Sequence, residues 1–366
     1  MHRTLALATL LVLALVAAAC GDDTEPDAAD SNTTTAAPTT TTEPPPSTTE
    51  PAPETTTTTA APDTATPPET ANPFTTVRPS DDEITRFGVD MSQPNGAEIL
   101  AFLQDPDDDG EPFYMVNMIR YRDQAEYADG RETDLTGQEA DAIYGEFMGE
   151  TMLPKYGHEV VYIAQVEQDL IGGSSWDRVA VVKYASRDSF AAMTSDPEFE
   201  SMAIHKDAGV LDTLVLATSL IETPQLPPLE NPPFPATADD TVMAFMHVFD
   251  YKETAEYQPG DEDADPTRSG RDAVALYSQN AGTVAQPLGI LPTAWFKVEA
   301  TTLGPAGVWD EVRINLFPSH ATFQELTADP TWQTGTHHRT AGLNQTFAIM
   351  NQPLINGFNG IVADIG

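Results

Sequence analysis

The chain has 366 residues, with 57 acidic against 17 basic side chains, a formal net charge of -40 and a single cysteine. Residues 81–366 alone hold 47 acids and 15 bases, so the part able to fold repels phosphate backbones and nucleic-acid binding is excluded. One thiol excludes a disulfide framework within the chain and a thiolate metal site.

The chain starts with His2 and Arg3, followed by an apolar run from Leu5 to Val16 and the small residues Ala17-Ala18-Ala19 directly before Cys20. This pattern reads as an export signal over 1–19, too short to span a membrane as a mature helix. A small-residue box ending in cysteine resembles the bacterial lipoprotein signal, although Ala17 stands where leucine is most usual. The resemblance implies lipidation at Cys20, membrane lipid as a partner, and a place in the cell envelope on the outer side of the cytoplasmic membrane. Residues 20–80 are runs of Thr, Pro, Ala and Glu, such as Thr55 to Thr59. They cannot bury enough apolar surface to offset their ordering entropy, and their proline content stiffens them. They are expected to be a disordered tether.

Residues 81–111 form a bridging segment, with a short capped helix from Asn95-Gly96 to Leu103 and an acidic turn from Asp105 to Gly110. The next segment, 112–223, reads as strand, helix, strand, strand, helix, strand. Phe113 to Tyr121 is apolar and aromatic with few breakers, which predicts a strand. Gly137 to Lys155 carries Ala140, Ile143, Tyr144, Phe147 and Met148 on one helical face. Strands follow at 158–166 and 176–184. Ser186 caps a helix from Arg187, Asp196-Pro197 breaks it, and Pro197 starts a continuation to His205. Ala208-Gly209 ends that helix, and 210–220 is a fourth strand. A proline-rich joint occupies 224–238. Residues 239–352 repeat the order, with strands at 242–251, 293–302, 309–317 and 343–351 and helices at 270–283 and 319–340. The remainder, 353–366, reads as a C-terminal tail.

The repetition is a duplication held in register. Trp176-Asp-Arg-Val, Thr194, Asp196-Pro197, His205 and Ala208-Gly209 return 133 positions later as Trp309-Asp-Glu-Val, Thr327, Asp329-Pro330, His338 and Ala341-Gly342. Tyr144 and Tyr277, and Thr213 and Thr346, keep the same offset. Each copy is a ferredoxin-like βαββαβ unit. Two helices cover only one face of each sheet, so the open faces must find a partner. The expected fold is therefore α+β, with two ferredoxin-like units packed sheet-to-sheet as an intrachain dimeric α/β barrel around a central cavity. Large side chains from both sheets meeting inside would exclude a central ligand.

The doubled Trp-Asp-x-Val, the Phe190-x-x-Met193 with its Asp-Pro pair, and the His-x-x-Ala-Gly endings resemble the bacterial family called domain of unknown function 1330, within the dimeric α/β-barrel superfamily. The likeness covers about 112–220. The second copy departs from it, with Leu326 for Met193 and Trp332 for Phe199. The resemblance implies the fold and no reaction. Barrel relatives include cofactor-free monooxygenases and haem enzymes, a likeness of fold only.

Several residues are candidates for a site. Asn117 and His247 hold equivalent places on first strands, on one alternating face with Tyr121 and Tyr251. That face either lines the cavity as an aromatic pocket with polar handles or packs beneath the helices as core. His205 and His338 are either ligand-binding groups titrating near neutrality or structural histidines at helix ends. Trp176 and Trp309 either anchor strand starts or stack on a ligand, and Tyr144 and Tyr277 join the aromatic set. Arg120 and Asp250 hold equivalent places and either pair across the pseudo-twofold or are solvated strand ends. His247, His337 and His338 do not make a metal site, because adjacent helical residues point apart. No hydrolase, kinase or peptidase motif is present. No cofactor is called for by the motifs, with haem or flavin left as outside options. The expected function is a membrane-anchored lipoprotein whose barrel binds a small apolar or aromatic molecule. The alternatives are a cofactor-free or haem-dependent oxidoreductase in the same cavity, and a structural or interaction module without a ligand.

Overall fold

The computed structural model describes residues 95–358, apart from 173–174, 305–306 and 308. The expected export signal, Cys20, the tether, the start of the bridging segment and the end of the tail lie outside the described residues.

The element order is α1 (Gly96–Leu103), β1 (Phe113–Tyr121), α2 (Gly137–Phe147), β2 (Glu159–Ile171), β3 (Arg178–Tyr184), α3 (Arg187–Thr194), α4 (Pro197–Gly209), β4 (Val210–Ile221), β5 (Met243–Tyr251), α5 (Gly270–Ala285), β6 (Leu291–Leu303), β7 (Glu311–Phe317), α6 (His320–Ala328), α7 (Pro330–Gly342) and β8 (Leu343–Asn356). β1 to β4 and β5 to β8 are two βαββαβ units. Their sheets run β4-β1-β3-β2 and β8-β5-β7-β6, and the outer strands join as β2 with β8 and β4 with β6. The two sheets thus meet face to face and are also hydrogen-bonded edge to edge into one closed eight-stranded barrel. Closure leaves no free strand edge.

Both faces of each sheet are buried, which is why β1 reads as nearly continuous apolar sequence rather than as alternation. The inner face fills the barrel. Val116, Tyr162, Val179, Leu214, Met246, Phe296, Ile314 and Ile349, one from each strand, belong to a single buried cluster. The expected central cavity is therefore replaced by packed side chains, each contributing roughly 1.5–3 kcal/mol by burial. The outer face of the first unit, with Phe113 and Met115, packs beneath its helices with Met148, Met152 and Met193. That of the second, with Met243 and Phe245, packs with Leu326 and Phe323.

The doubled landmarks build the same joints twice. Asp177 Oδ2 accepts the Tyr121 amide at 2.7 Å, and the Asp177 amide donates to the Ile119 carbonyl. Asp310 does the same for Tyr251 at 2.7 Å and Phe249. Each aspartate thereby holds the bulge that ends β1 or β5. At the start of α2, Gly137 lies against Gly209, and a Cβ on either would overlap the other's carbonyl oxygen; Gly270 and Gly342 repeat this contact. The Gly209 and Gly342 carbonyls accept the Arg122 and Lys252 amides, each at 2.9 Å. Thr213 and Thr346 hydroxyls donate to the Met118 and Val248 carbonyls.

Three expectations need correction. The helix predicted over 137–155 is not uniform: α2 ends at Phe147 and passes through a π-helical turn, Met148–Met152, before Leu153–Lys155. The single helix predicted over 319–340 is two, because Pro330 has no amide to continue α6 and Asp329 instead caps α7 at the Thr331 amide. The tail does not begin at 353. β8 runs on to Asn356 because its end pairs with β2, and Phe358 is buried in the barrel cluster.

Candidate functional site

A cleft of about 320 Å³ opens outside the barrel, in the first unit. Its walls are Tyr121, Arg122 and Asp123 after β1, Thr136 and Gln138 at the start of α2, Gln165 and Val166 on β2, and Asp177 and Arg178 at the head of β3. Leu354 of β8 completes it, so the cleft sits on the seam between the two units. At its floor the Tyr121 hydroxyl donates to Asp141 Oδ2 at 2.8 Å. Burial first, then the Asp141 charge, pushes the Tyr121 pKa far up, so it stays a donor. The Arg178 guanidinium lies over the Tyr121 ring at 5.5 Å and 3.7 Å from Asp141 Oδ2.

The same place in the second unit is shut by its own side chains. Glu311 holds the position of Arg178, and Arg271 that of Gln138. The Glu311 carboxylate, 2% exposed, is gripped by Arg271 at 2.6 Å and Arg313 at 2.5 Å. Arg313 also donates to the Ser278 hydroxyl and lies over Trp295. Its counterpart in the first unit is Ala180, which fills no such space.

Of the ten side chains expected from the sequence to form a site, Tyr121 alone lines this cleft. The face bearing Asn117 and His247 points at the helices and not into the barrel. Asn117 Nδ2 donates to the Met115 carbonyl at 3.1 Å. His247 is buried between Phe245 and Phe249, with ring centroids 4.5 and 5.1 Å away. Burial, with Arg339 and Arg313 nearby, holds its pKa well below the usual histidine range. Tyr251 stacks on Phe249 beneath Arg271. Tyr144 meets Phe199 edge-on, and Tyr277 lies under Arg339. Trp176 and Trp309 point into the barrel and share Phe347, at 6.2 and 4.8 Å.

His205 and His338 are pinned alike: Nδ1 shares a hydrogen bond with Tyr127 Oη at 2.7 Å and with Tyr257 Oη at 2.8 Å. Arg268 also donates to the Tyr257 oxygen, at 2.7 Å. Burial lowers the pKa of both histidines, so each stays neutral while it ties the loop after β1 to α4, or the loop after β5 to α7. Asp250 does not reach Arg120: its bonds go to Asn344 and Gln345 of its own unit. Sequence reading missed Arg122, Gln138, Gln165, Arg178 and Leu354. One signal was available, since Arg178 and Glu311 are the single mismatch inside the doubled Trp-Asp-x-Val.

Among the described residues, no group of three or more His, Cys, Asp or Glu could hold a metal ion. His247 does not fit a haem ligand either. His247 is 7% exposed and flanked by two phenylalanine rings, which leaves no slot for a porphyrin beside it.

No family model matches the chain, and no curated protein matches it. Among solved structures, that of the methylated RPA0582 protein of Rhodopseudomonas palustris is 34% identical, covering 34% of this chain and 91% of that one, with a TM-score of 0.31. An anthrone oxidase-like protein is 11% identical over 69% of this chain and 93% of its own, with a TM-score of 0.39. Chlorite dismutase from Candidatus Nitrospira defluvii is 11% identical over 70% and 94%, with a TM-score of 0.35. The superpositions carry no argument at these scores, and the fold rests on the strand pairing described above. By 34% identity across 91% of its relative, the chain belongs to the family of the RPA0582 protein, a protein of unknown function.

Proposed function

We propose that the chain is a lipid-anchored protein of the cell envelope whose folded part binds a small molecule in the first-unit cleft. The observation that carries the binding is the cleft itself, about 320 Å³ and walled by residues of both units. That volume lies at the lower end of the roughly 300–1,000 Å³ usual for small-molecule sites. Its lining is rich in hydrogen-bonding groups, with Arg122, Gln138, Gln165 and Arg178 facing it. The ligand is therefore a small hydrogen-bonding molecule, and not the mainly apolar one that a central barrel cavity would take. The two units are a tandem repeat of the domain of unknown function 1330, as the doubled Trp-Asp-x-Val and His-x-x-Ala-Gly suggest. Cys20 carries the lipid, and the Thr/Pro-rich stretch holds the barrel off the membrane.

The test is native mass spectrometry and thermal shift of the full chain against a panel of small polar metabolites, beside a Gln165→Trp variant that fills the cleft. Ligands that bind the wild type and not the variant support the reading. Ligands that bind both equally place the site elsewhere, and a panel with no ligand at all leaves the structural-module alternative. Cys20→Ser should abolish incorporation of a labelled fatty acid.

A second reading, an oxidoreductase acting in the same cleft, is favoured by the Tyr121–Asp141 pair at the floor, a phenol kept protonated beside the carboxylate it donates to. Ligand-dependent oxygen uptake that Tyr121→Phe abolishes would select it.

A further inference from the structure

We propose that the molecule bound in the first-unit cleft carries a carboxylate, which seats on the guanidinium of Arg178. This rests on the binding reading above and names its ligand class.

Two other well-buried arginines are taken up by internal acceptors. Arg187 donates to the Phe102 carbonyl at 2.6 Å and to Glu299 at 2.8 Å. Arg313 is held by Glu311 and Ser278. Arg178 differs. It lines the cleft, its side chain is 23% exposed, and its guanidinium makes no hydrogen bond among the described residues. Its internal partner is Asp141, in an ion pair at 3.7 Å that is too long for a hydrogen bond, and the same oxygen accepts from the Tyr121 hydroxyl at 2.8 Å. A guanidinium presents five donors in a planar fork that matches a carboxylate in a bidentate way. Here those donors face a cleft of small-molecule size and are unspent.

The acids in the lining do not answer that charge. Asp177 Oδ2 accepts the Tyr121 amide at 2.7 Å, and Asp123 is exposed to solvent. Arg122 adds a second cation to the wall, with its Nε buried and unpartnered. The second unit supplies the comparison. At the matching place it sets a carboxylate of its own, Glu311, between two arginines. The first unit keeps the cation with only the long ion pair to Asp141, and leaves its hydrogen-bonding fork to a carboxylate brought in.

Paired fragments test this on the full chain: benzoate against benzamide, and succinate against succinamide. Affinities would be measured by calorimetry for the wild type, Arg178→Gln and Arg178→Lys. We expect each acid to bind at least about tenfold more tightly than its amide, a difference of about 1.4 kcal/mol. Arg178→Gln should erase that preference, and Arg178→Lys should restore part of it, as a point charge without the fork. Melting temperatures should stay together across the three proteins, because the side chain spends no internal hydrogen bond. Acid and amide binding equally, or an acid preference that survives Arg178→Gln, overturns the proposal while leaving a neutral ligand in the cleft. If neither kind binds, and the polar panel also finds nothing that Gln165→Trp blocks, both readings fail together.

Discussion

The two units are built on identical joints and differ in where they put their charges. Each has a glycine pair at a backbone crossing, an aspartate holding a bulge, and a tyrosine hydroxyl pinning a neutral histidine. What differs is the polar patch at the head of β3 and β7, open around Arg178 and closed around Glu311. The seams between units show the same contrast. At the β4–β6 seam Arg187, the first residue of α3, reaches Glu299 of β6 at 2.8 Å. At the β2–β8 seam its counterpart His320, the first residue of α6, reaches Glu167 of β2 at 2.8 Å and Asp240 at 2.9 Å. One clamp is built on a guanidinium, and the other on an imidazole that titrates. Doubled residues in this chain mark structure, and mismatched pairs mark the places where chemistry can enter.

The comparison breaks most visibly at the closed patch. Glu311→Ala should cost about 3 kcal/mol, because two arginines lose the carboxylate between them. Arg178→Ala, a partly exposed side chain with a loose partner, should cost under about 1 kcal/mol. Denaturant unfolding of both variants checks the pair; equal costs would mean that the first-unit patch is as closed as the second.

The glycine joints should behave alike. Gly209→Ala and Gly342→Ala each force a Cβ onto a backbone oxygen, which flexible side chains cannot relieve. A loss of about 2–3 kcal/mol is expected at each, read from the unfolding midpoint. If one unit tolerates the change, its crossing is looser than its twin.

Tyr127→Phe and Tyr257→Phe should each lose about 1 kcal/mol with the histidine bond. The second should lose more, because Arg268 gives up an acceptor as well.

The smallest effect separates the two clamps. Burial alone would lower the His320 pKa, but its bonds to Glu167 and Asp240, with their charges, outweigh this and hold it above its ordinary value. The folded chain thus binds this proton more tightly than the unfolded one. The clamp's contribution is complete below the ordinary value of about 6.5 and is lost as pH rises through the raised one. His320→Gln should therefore cost up to about 1 kcal/mol at pH 5.5 and less at pH 8.5. Arg187→Gln should cost the same at both. Equal pH profiles for the two variants would show that the His320 clamp does not titrate in this window.

Sequence by itself determined the order of elements and their doubling. Apolar periodicity, the capping residues Asn95 and Ser186, and the paired landmarks are local, and local signals report local backbone. They predicted two ferredoxin-like units that cover each other's open faces, and the structure forms them. The tertiary structure alone decided which strand face turns inward. β1 carries large apolar residues on both faces, so the pattern of Met115, Asn117, Ile119 and Tyr121 could not be told from that of Tyr114, Val116 and Met118. Closing the barrel gave the second set to the interior and the first to the helices. The cleft was likewise beyond the sequence. It joins residues of β1, α2, β2 and β3 with Leu354 of β8, and the seam that brings them together exists only once β2 and β8 are hydrogen-bonded across the two units.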